Sequence, residues 1–285
     1  MVVPDGPEQS IDADDGNPFE IDFSVAHPAR LQSYLAGGES YFAADRDAAE
    51  KMAAALPSGL DTARGVVRAL GAFVGRAVRY LAGEAGVRQF LHIGVGPPGE
   101  RNVHHVAQEK APDARVVYVS DDPVVLAESH ALRRGSPEGL TGYVHGTLED
   151  LSTILEGAAE TLNLAEPVAA LLVTTLNFVP DESDPQAIVG RLVETLASGS
   201  HLLVAHPSFD ISAEGMPEAS ARLSQALSVP WVVRSRDEIA RFFDGLDMVA
   251  PGLVPIDEWR HDAAEAPPRT GRRVPPIYGG LGRKP

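Results

Sequence analysis

Beyond Gly86, short apolar segments of strand length alternate with helical stretches. Five segments predict β-strands, at residues 88–93, 114–119, 142–145, 168–176 and 200–206. Helices are expected between and after them, at about 101–110, 123–133, 148–157, 185–197 and 217–227. Strands joined through helices pair in parallel, and the helices then cover both faces of the sheet. The alternation therefore predicts an α/β fold with a mostly parallel sheet.

Later segments extend this pattern. Ser235 and Glu238 form a capping box, which predicts a helix over residues 235–244. Two short strands, near 247–254 and 277–282, are expected to complete the sheet. Ahead of the first strand, apolar residues between 25 and 81 recur at helical spacing, with breaks at residues 37–38 and 57–59. We expect about three helices in that region.

The first 22 residues carry seven acidic side chains and no basic one, which favours a solvated tail. The expected organisation is an acidic tail over 1–23, a helical cap over 24–84 and an α/β domain over 85–285. The formal net charge of −16 disfavours nucleic acid and anionic membranes as partners. The apolar run at 168–179 is too short to span a bilayer, and residues 1–9 lack the pattern of a secretory signal. We expect a cytoplasmic protein.

Metal and thiol chemistry have little support. The chain has no cysteine, which excludes disulfides, thiolate metal sites and a cysteine nucleophile. His104 and His105 are helix neighbours about 100° apart and cannot both face one ion. No metal site is predicted.

A glycine-rich turn follows the first predicted strand. Gly94, Gly96 and Gly99 satisfy the GxGxxG pattern between a strand and a helix, where glycines let the backbone approach a nucleotide-like ligand. Such turns also occur for purely steric reasons. A ribose-binding acid is expected about 20 residues further on, at the tip of the second strand. Ser120 and Asp121 lie there, although these residues and Asp122 are equally typical caps for a helix that begins at Pro123.

Nine further segments are distinctive: YLAGG at 34–38, FAADR at 42–46, RYL at 79–81, RQFL at 88–91, NVH at 102–104, DARVVYV at 113–119, FVPD at 178–181, SRDEIARFF at 235–243 and YGGLGRKP at 278–285. On these segments the chain, from about residue 27 to 285, resembles the actinobacterial S-adenosylmethionine methyltransferase family once catalogued as a domain of unknown function, within the class I (Rossmann-like) superfamily. The resemblance implies a seven-stranded sheet, S-adenosyl-L-methionine over the glycine turn, and methyl transfer by direct displacement.

The chain departs from the family pattern at the implied cofactor site, where the resemblance assigns cofactor-binding positions. An acid is replaced by His92 before the glycine turn, and a second acid by Ser120 at the tip of the second strand. After the third strand, the family position of an acid that faces the adenine amino group corresponds to Thr147, which Leu148 follows. After the fourth strand, Asn177 replaces a histidine. The N-terminal helical region also departs from the family pattern, at Ser33, Glu39, Ser40 and Tyr41. These changes indicate a divergent member whose cofactor site is partly degenerate.

Catalytic residues cannot be read from the sequence, although two candidates are present. Asn177 stands where the family pattern has a histidine, and His206 comes at the end of the fifth strand, at the carboxyl edge of the sheet. A purely structural role is equally compatible with the positions of His206 and His92. Four aromatic residues are candidates for the wall of a substrate pocket, or for core packing: Tyr34, Tyr41, Phe42 and Phe178.

Two functions remain open at this level. The first is a transferase that methylates a small molecule of secondary metabolism with S-adenosyl-L-methionine. The second is a repurposed methyltransferase fold that catalyses another reaction or only binds a ligand. A nicotinamide-dependent dehydrogenase fits the glycine pattern but not the helical region or the segment at 278–285. A homodimer is compatible with the chain.

Overall fold

The computed structural model describes residues 22–96, 102–131, 136–211, 216–227, 229–260 and 275–285. The predicted acidic tail, apart from residues 22 and 23, lies outside the described residues, as does Gly99. Nine α-helices are described: α1 (Pro28–Ala36), α2 (Ala43–Ala53), α3 (Leu60–Gly83), α4 (Val103–Lys110), α5 (Pro123–Ala131), α6 (Leu151–Ala159), α7 (Pro185–Thr195), α8 (Met216–Leu227) and α9 (Arg236–Ala240). Short 3-10 helices add Leu176–Phe178, Asp181–Ser183 and Arg241–Phe243.

One sheet forms the centre of the molecule. Its strands are β1 (Gln89–Ile93), β2 (Arg115–Ser120), β3 (Leu140–His145), β4 (Ala169–Val173), β5 (His201–Pro207), β6 (Asp247–Met248), β7 (Val254–Pro255) and β8 (Ile277–Arg283). The order is β3-β2-β1-β4-β5-β8-β6, and β7 also pairs with β8. Strands β1 to β5 pair in parallel, whereas β8 runs antiparallel to β5, β6 and β7. This confirms the mixed α/β fold, although the sheet has eight strands rather than the seven expected.

Buried side chains form a separate core on each face of the sheet. On one face α3 and α4 pack against alternating strand residues such as Phe90 and Leu171. On the other face α6 and α7 pack against the residues between them, such as Leu91 and Leu172. Because successive strand residues point to opposite faces, a central strand of this kind must be apolar throughout. Strand β4 meets this requirement, because all five of its residues are apolar and buried.

The fourth strand ends earlier than predicted. Residues 168–176 are continuously apolar or neutral, but the strand stops at Val173 because Thr174 has a φ of 54° and turns the chain. A 3-10 helix follows at Leu176–Phe178. The turn places the side chains of residues 174–177 at the carboxyl edge of the sheet, next to the glycine turn.

The helical region before β1 contains the three helices that the breaks predict. Gly37, with a φ of 84°, ends α1 and accounts for the first break. Helices α1 and α2 share a third apolar core with α8, which contains Leu31, Leu35, Met52 and Leu223. This third core covers the carboxyl edge of the sheet rather than one of its faces. Among the described residues, no helix has the length and apolar composition needed to cross a membrane.

Candidate functional site

The glycine turn lies exposed at the carboxyl end of β1. Gly94 has a φ of 76°, and the N–H groups of Gly94 and Val95 both donate to the carbonyl oxygen of Val119, at 3.0 and 3.1 Å. A Cβ at Gly94 would lie 2.7 Å from Cγ2 of Thr175, so a side chain would be excluded both by backbone conformation and by contact. The turn is therefore open on one side and tightly supported on the other.

Two buried hydroxyl groups hold this turn in place. Thr175 Oγ1 donates to the carbonyl oxygen of Ile93 at 2.8 Å, and Ser120 Oγ donates to the carbonyl oxygen of Val95 at 3.2 Å. Ser120 is 1% exposed and also accepts the backbone N–H of Asp122 at 3.3 Å. Ser120 thus supports the turn from below, and its hydroxyl group is engaged with the backbone. Sequence reasoning did not identify Thr175, because a threonine after an apolar strand carries no distinctive signal.

The two acids after β2 differ in their surroundings. Asp122 is 1% exposed, and its Oδ1 accepts the N–H of Val124 at 2.7 Å, which caps α5. The side chain of Asp121 is half exposed, and its Oδ1 lies 3.5 Å from Nε2 of His27. Burial alone would raise the pKa of the Asp121 carboxyl, but the hydrogen bond and charge of His27 lower it below its usual value. Asp121 is therefore an ionised carboxylate at the tip of β2, whereas Asp122 is the helix cap.

Helix α1 is fixed over this edge by buried charges. Arg30 Nε lies 3.1 Å from Asp45 Oδ2 and 3.5 Å from Asp122 Oδ2, and all three side chains are at most 5% exposed. A Cβ at Gly96 would lie 3.0 Å from Oε1 of Gln32 and 3.2 Å from the carbonyl oxygen of Ala29. The close approach that Gly96 permits is therefore to α1. Of the two glycines of the turn that the structure describes, Gly94 is exposed and Gly96 is partly buried.

An apolar cavity of about 160 Å³ opens beside Gly94. We call it the apolar cavity. Helices α1, α2 and α3 form one side of it, and α8 with the residues around it forms the other. The rings of Phe178 and Trp231, which also line it, are in edge-to-face contact with their centroids 5.2 Å apart. Phe178 is the only one of the four predicted aromatic residues that lines it. Tyr34, whose hydroxyl donates to Glu50 at 2.8 Å, packs against Tyr41, while Phe42 packs against Phe23.

A second cavity, of about 250 Å³, lies behind the turn between α3, α4 and the ends of β1 to β3. We call it the histidine–tyrosine cavity, after His92, His104, Tyr118 and Tyr143, which line it. Tyr118 Oη accepts the backbone N–H of His104 at 2.9 Å and lies 2.8 Å from its Nδ1. Among the described residues, Nδ1 of His92 and Nε2 of His104 have no hydrogen-bond partner. Gly94 and Gln32 line both cavities, which therefore meet at the glycine turn.

The two imidazoles in this second cavity are uncharged at neutral pH. Burial lowers the pKa of His92 to about 4. The pKa of His104 is also lowered to about 4, by burial and by the neighbouring His105. A neutral His92 places no positive charge beside the glycine turn.

The remaining predicted positions are spread over the same edge. Thr147 is exposed after β3, whereas Leu148 is 3% exposed and belongs to the core. Asn177 is completely buried, and neither its Nδ2 nor its Oδ1 has a hydrogen-bond partner among the described residues. A buried amide without partners is costly, which is typical of a side chain whose partner is a ligand or water.

His206 is fully buried, and both of its ring nitrogens are engaged. Nδ1 donates to the carbonyl oxygen of Pro207 at 2.8 Å, and Nε2 accepts from Nη1 of Arg234 at 2.8 Å. Arg234 in turn binds Asp181 and the carbonyl oxygens of Leu176 and Val179. Burial, aided by Arg234, lowers the pKa of His206 to about 4. The geometry favours the structural role for this histidine over contact with a substrate.

The residues present fit S-adenosyl-L-methionine at this edge. Gly94 is exposed with the backbone conformation of a ligand-binding turn, and the ionised Asp121 stands where the fold places a ribose-binding acid. The amide of Asn177 has hydrogen-bonding capacity that the described protein leaves unused. Asp121, whose carboxylate is half exposed, would hold the ribose hydroxyls, whereas the Ser120 hydroxyl donates to the backbone. His145 and Thr147 are exposed polar residues at the end of the neighbouring strand β3.

Known proteins resemble this chain along most of its length. A family model described as S-adenosyl methyltransferase matches residues 14–285. The structure of a DUF574 family protein from Streptomyces avermitilis is similar with a TM-score of 0.86 and 38% identity, over 93% of this chain and 99% of that one. A protein from Thermobifida fusca described as a methyltransferase gives a TM-score of 0.82 and 32% identity, over 92% of this chain and 96% of that one. No curated protein matches the chain.

The family match covers nearly the whole sequence, and the two solved structures share both its fold and more than 30% of its residues. The chain therefore belongs to the S-adenosyl methyltransferase family, whose cofactor is S-adenosyl-L-methionine.

Proposed function

We propose that this protein transfers a methyl group from S-adenosyl-L-methionine to a small molecule of secondary metabolism. The observation that carries the proposal is the apolar cavity, which meets the exposed glycine turn at Gly94 and is walled by the helices before β1 and by α8. An acceptor that reaches the turn through this cavity has to fit a space of about 160 Å³, which suits a small molecule and not a folded protein.

The chain contributes mainly by binding and positioning. The cofactor supplies an electrophilic methyl group on a sulfonium sulfur. Asp121 accepts hydrogen bonds from vicinal hydroxyl groups, and the supported backbone at Gly94 fixes the position of the ligand along the edge. Holding two reactants in line accounts for a large part of the rate in such displacements. Helices α1 and α2 form walls of the cavity beside the turn, and the neutral His92 avoids repulsion of a sulfonium group.

Binding of the cofactor is the first test. Isothermal titration calorimetry with S-adenosyl-L-methionine and S-adenosylhomocysteine is expected to give saturable heat for both, and an Asp121→Asn variant is expected to bind the two ligands at least tenfold more weakly. A methyl-transfer assay with labelled cofactor and a panel of small acceptors then identifies the product. Absence of binding at millimolar ligand would reject the proposal and favour the repurposed fold, in which Ser120 and His92 replace the acids of the family pattern.

A further inference from the structure

The lining of the apolar cavity is unusual for a protein with a net charge of −16, because no charged side chain is among the described residues that form it. Four polar side chains are present: Gln32, Thr62, Thr174 and Ser220. Apart from Trp231, whose indole ring carries one N–H donor, all other lining residues described are apolar or glycine. Placing an ionised group against such walls without a partner is strongly unfavourable, so the cavity selects against charged occupants.

Two of the four polar groups are already engaged with the backbone. Thr62 Oγ1 donates to the carbonyl oxygen of Pro57, and Thr174 Oγ1 donates to the carbonyl oxygen of Val173 at 2.7 Å. Within the described part of the chain, the side-chain amide of Gln32 makes no hydrogen bond and Ser220 Oγ has no partner. Besides the indole N–H of Trp231, the cavity therefore offers an occupant two polar contacts, one on α1 and one on α8.

The two contacts are not equivalent. Gln32 also lines the second cavity, and its Oε1 lies next to the position that a Cβ would take on Gly96, so it is at the glycine turn. Ser220 belongs to α8 in the opposite wall, where it is the neighbour of the buried Ala219. A polar group bound by Gln32 is thus held at the turn, while one bound by Ser220 is held at the wall formed by α8.

The size of the cavity limits the acceptor to a compact body. Its volume of about 160 Å³ is close to that of engineered apolar cavities of roughly 150 Å³ that bind benzene. The edge-to-face pair of Phe178 and Trp231 gives one wall an aromatic surface, which favours packing against another ring.

We propose that the methyl acceptor is a neutral, largely hydrocarbon molecule, such as a phenol with one or two rings, whose single hydroxyl group is bound by Gln32 at the glycine turn. This inference rests on the proposed function and names the substrate class of the same site. In the reaction the hydroxyl oxygen bonds to the methyl carbon as the carbon–sulfur bond breaks. Sulfur keeps the bonding electron pair and becomes a thioether, and the hydroxyl proton passes to water.

A matched set of ligands tests the charge preference without turnover. Calorimetry of the protein with 2-naphthol, naphthalene, 2-naphthoate and 2-naphthylmethylamine keeps the ring system constant while polarity and charge change. We expect 2-naphthol to bind, and the anionic and cationic analogues to bind at least tenfold more weakly. Equal or tighter binding of either charged analogue would overturn the inference.

Two single substitutions test the orientation. Gln32→Leu is expected to remove the preference for 2-naphthol over naphthalene while naphthalene still binds. Ser220→Ala is expected to leave that preference within twofold. If the serine variant loses the preference and the glutamine variant keeps it, the hydroxyl group is held at the far wall and the proposed orientation is wrong.

Replacing either of two alanines on α8 with tryptophan tests where the ligand binds. Ala219 is 4% exposed and lines the cavity, whereas Ala221 is exposed on the same helix. Ala219→Trp should abolish naphthol binding and Ala221→Trp should not, with thermal unfolding used to verify that both variants fold. Naphthol binding that survives in a folded Ala219→Trp variant would place the ligand elsewhere.

The outcomes separate this inference from the proposed function. Binding of 2-naphthol without binding of S-adenosyl-L-methionine would retain the apolar site and reject methyl transfer. Binding of the cofactor without binding of any neutral ligand in the set would retain the methyltransferase and reject the acceptor class.

Discussion

At the scale of single residues, Gly94 combines two separate requirements. Its φ of 76° is unfavourable for other residues, and a Cβ would also contact the side chain of Thr175 at 2.7 Å. Gly86 has a similar φ of 72°, but there no atom lies within 4 Å of the position that a Cβ would take. Comparison of the two glycines therefore separates backbone strain from steric contact.

Replacing these glycines with alanine gives the first prediction. Gly86→Ala is expected to lower the free energy of unfolding by about 1–2 kcal/mol, the cost of a left-handed backbone with a side chain. Gly94→Ala is expected to cost about 1–3 kcal/mol more, because Thr175 must move. Urea unfolding of both variants measures the difference. Equal losses would show that the Thr175 side chain moves aside at no cost in stability.

The second prediction concerns Asp121 as the ribose-binding acid. Replacing one charge-assisted hydrogen-bond acceptor costs roughly 1.5–3 kcal/mol, so Asp121→Asn should weaken cofactor binding by about tenfold or more. Asp113→Asn is the control, because Asp113 is an exposed acid before the other end of β2, 3.5 Å from Arg88. It changes net charge equally and should leave the dissociation constant unchanged. Equal effects of the two variants would point to general electrostatics.

Which acid after β2 stays exposed and which is buried could not be predicted from the sequence. Ser120, Asp121 and Asp122 are all common before a helix, and a ligand-binding role and a capping role fit the segment equally well. The distinction arises from Arg30 of α1, about 90 residues earlier, which lies 3.5 Å from Asp122 Oδ2 and holds it in a buried cluster with Asp45. A local pattern of residue types contains no information about that contact.

At the scale of helices and strands, the attachment of α1 and α2 depends on one carboxylate. Asp45 is 0% exposed and accepts the backbone N–H groups of His27 and Phe42, each at 2.8 Å, as well as Nε of Arg30. These contacts join the start of α1 to the start of α2. The sequence FAADR at 42–46, recognisable as a motif, thus has a structural explanation.

The third prediction follows from this arrangement. Asp45→Ala leaves Arg30 without its nearest counter-charge, so the free energy of unfolding should fall by about 3–5 kcal/mol. The matched control is Asp47→Ala on the same helix, where an exposed acid pairs with Arg46 at 2.9 Å and should change stability by less than about 1 kcal/mol. Chemical unfolding distinguishes them, and a loss of similar size in both variants would contradict a special role for the buried pair.

The elements themselves were largely predictable. Periodicity located the three helices before β1 and the alternation that follows, and the capping box at Ser235 is present, with Ser235 N–H donating to Glu238 Oε2 at 2.7 Å. The cavity was not predictable. Gln32 and Ser220 lie on helices far apart in the sequence, and only the third core brings α1 and α8 together. Only Phe178 among the four suggested aromatic residues lines it.

At the scale of the whole molecule, buried histidines make stability depend on pH. Burial lowers the pKa of His92, His104, His201 and His206 to about 4, with additional lowering from His105, Arg283 and Arg234 at the last three. In the unfolded chain a histidine titrates near 6.5. Between these values the unfolded chain binds protons that the folded protein does not, so stability is retained above about pH 6.5 and falls as pH drops towards 4.

The fourth prediction is therefore a melting temperature that decreases from pH 7 to pH 4.5. His201→Asn removes one of these titrations away from the glycine turn and should give a shallower decrease over the same range. Differential scanning calorimetry in buffers of equal ionic strength measures both slopes. A wild-type melting temperature independent of pH, or an unchanged slope in the variant, would contradict neutral burial of these side chains.

The placement of β8 has a consequence for how the chain is made. Strand β8, at Ile277–Arg283, lies between β5 and β6 and forms hydrogen bonds with three other strands. A Cβ on its Gly279 would lie 2.6 Å from Phe73 of α3, so this strand fits closely against an element from the opposite part of the sequence. During translation, β5 therefore has an unpaired edge until residue 277 leaves the ribosome. The nascent protein must protect a strand of the central sheet for some 70 residues of synthesis before its partner arrives.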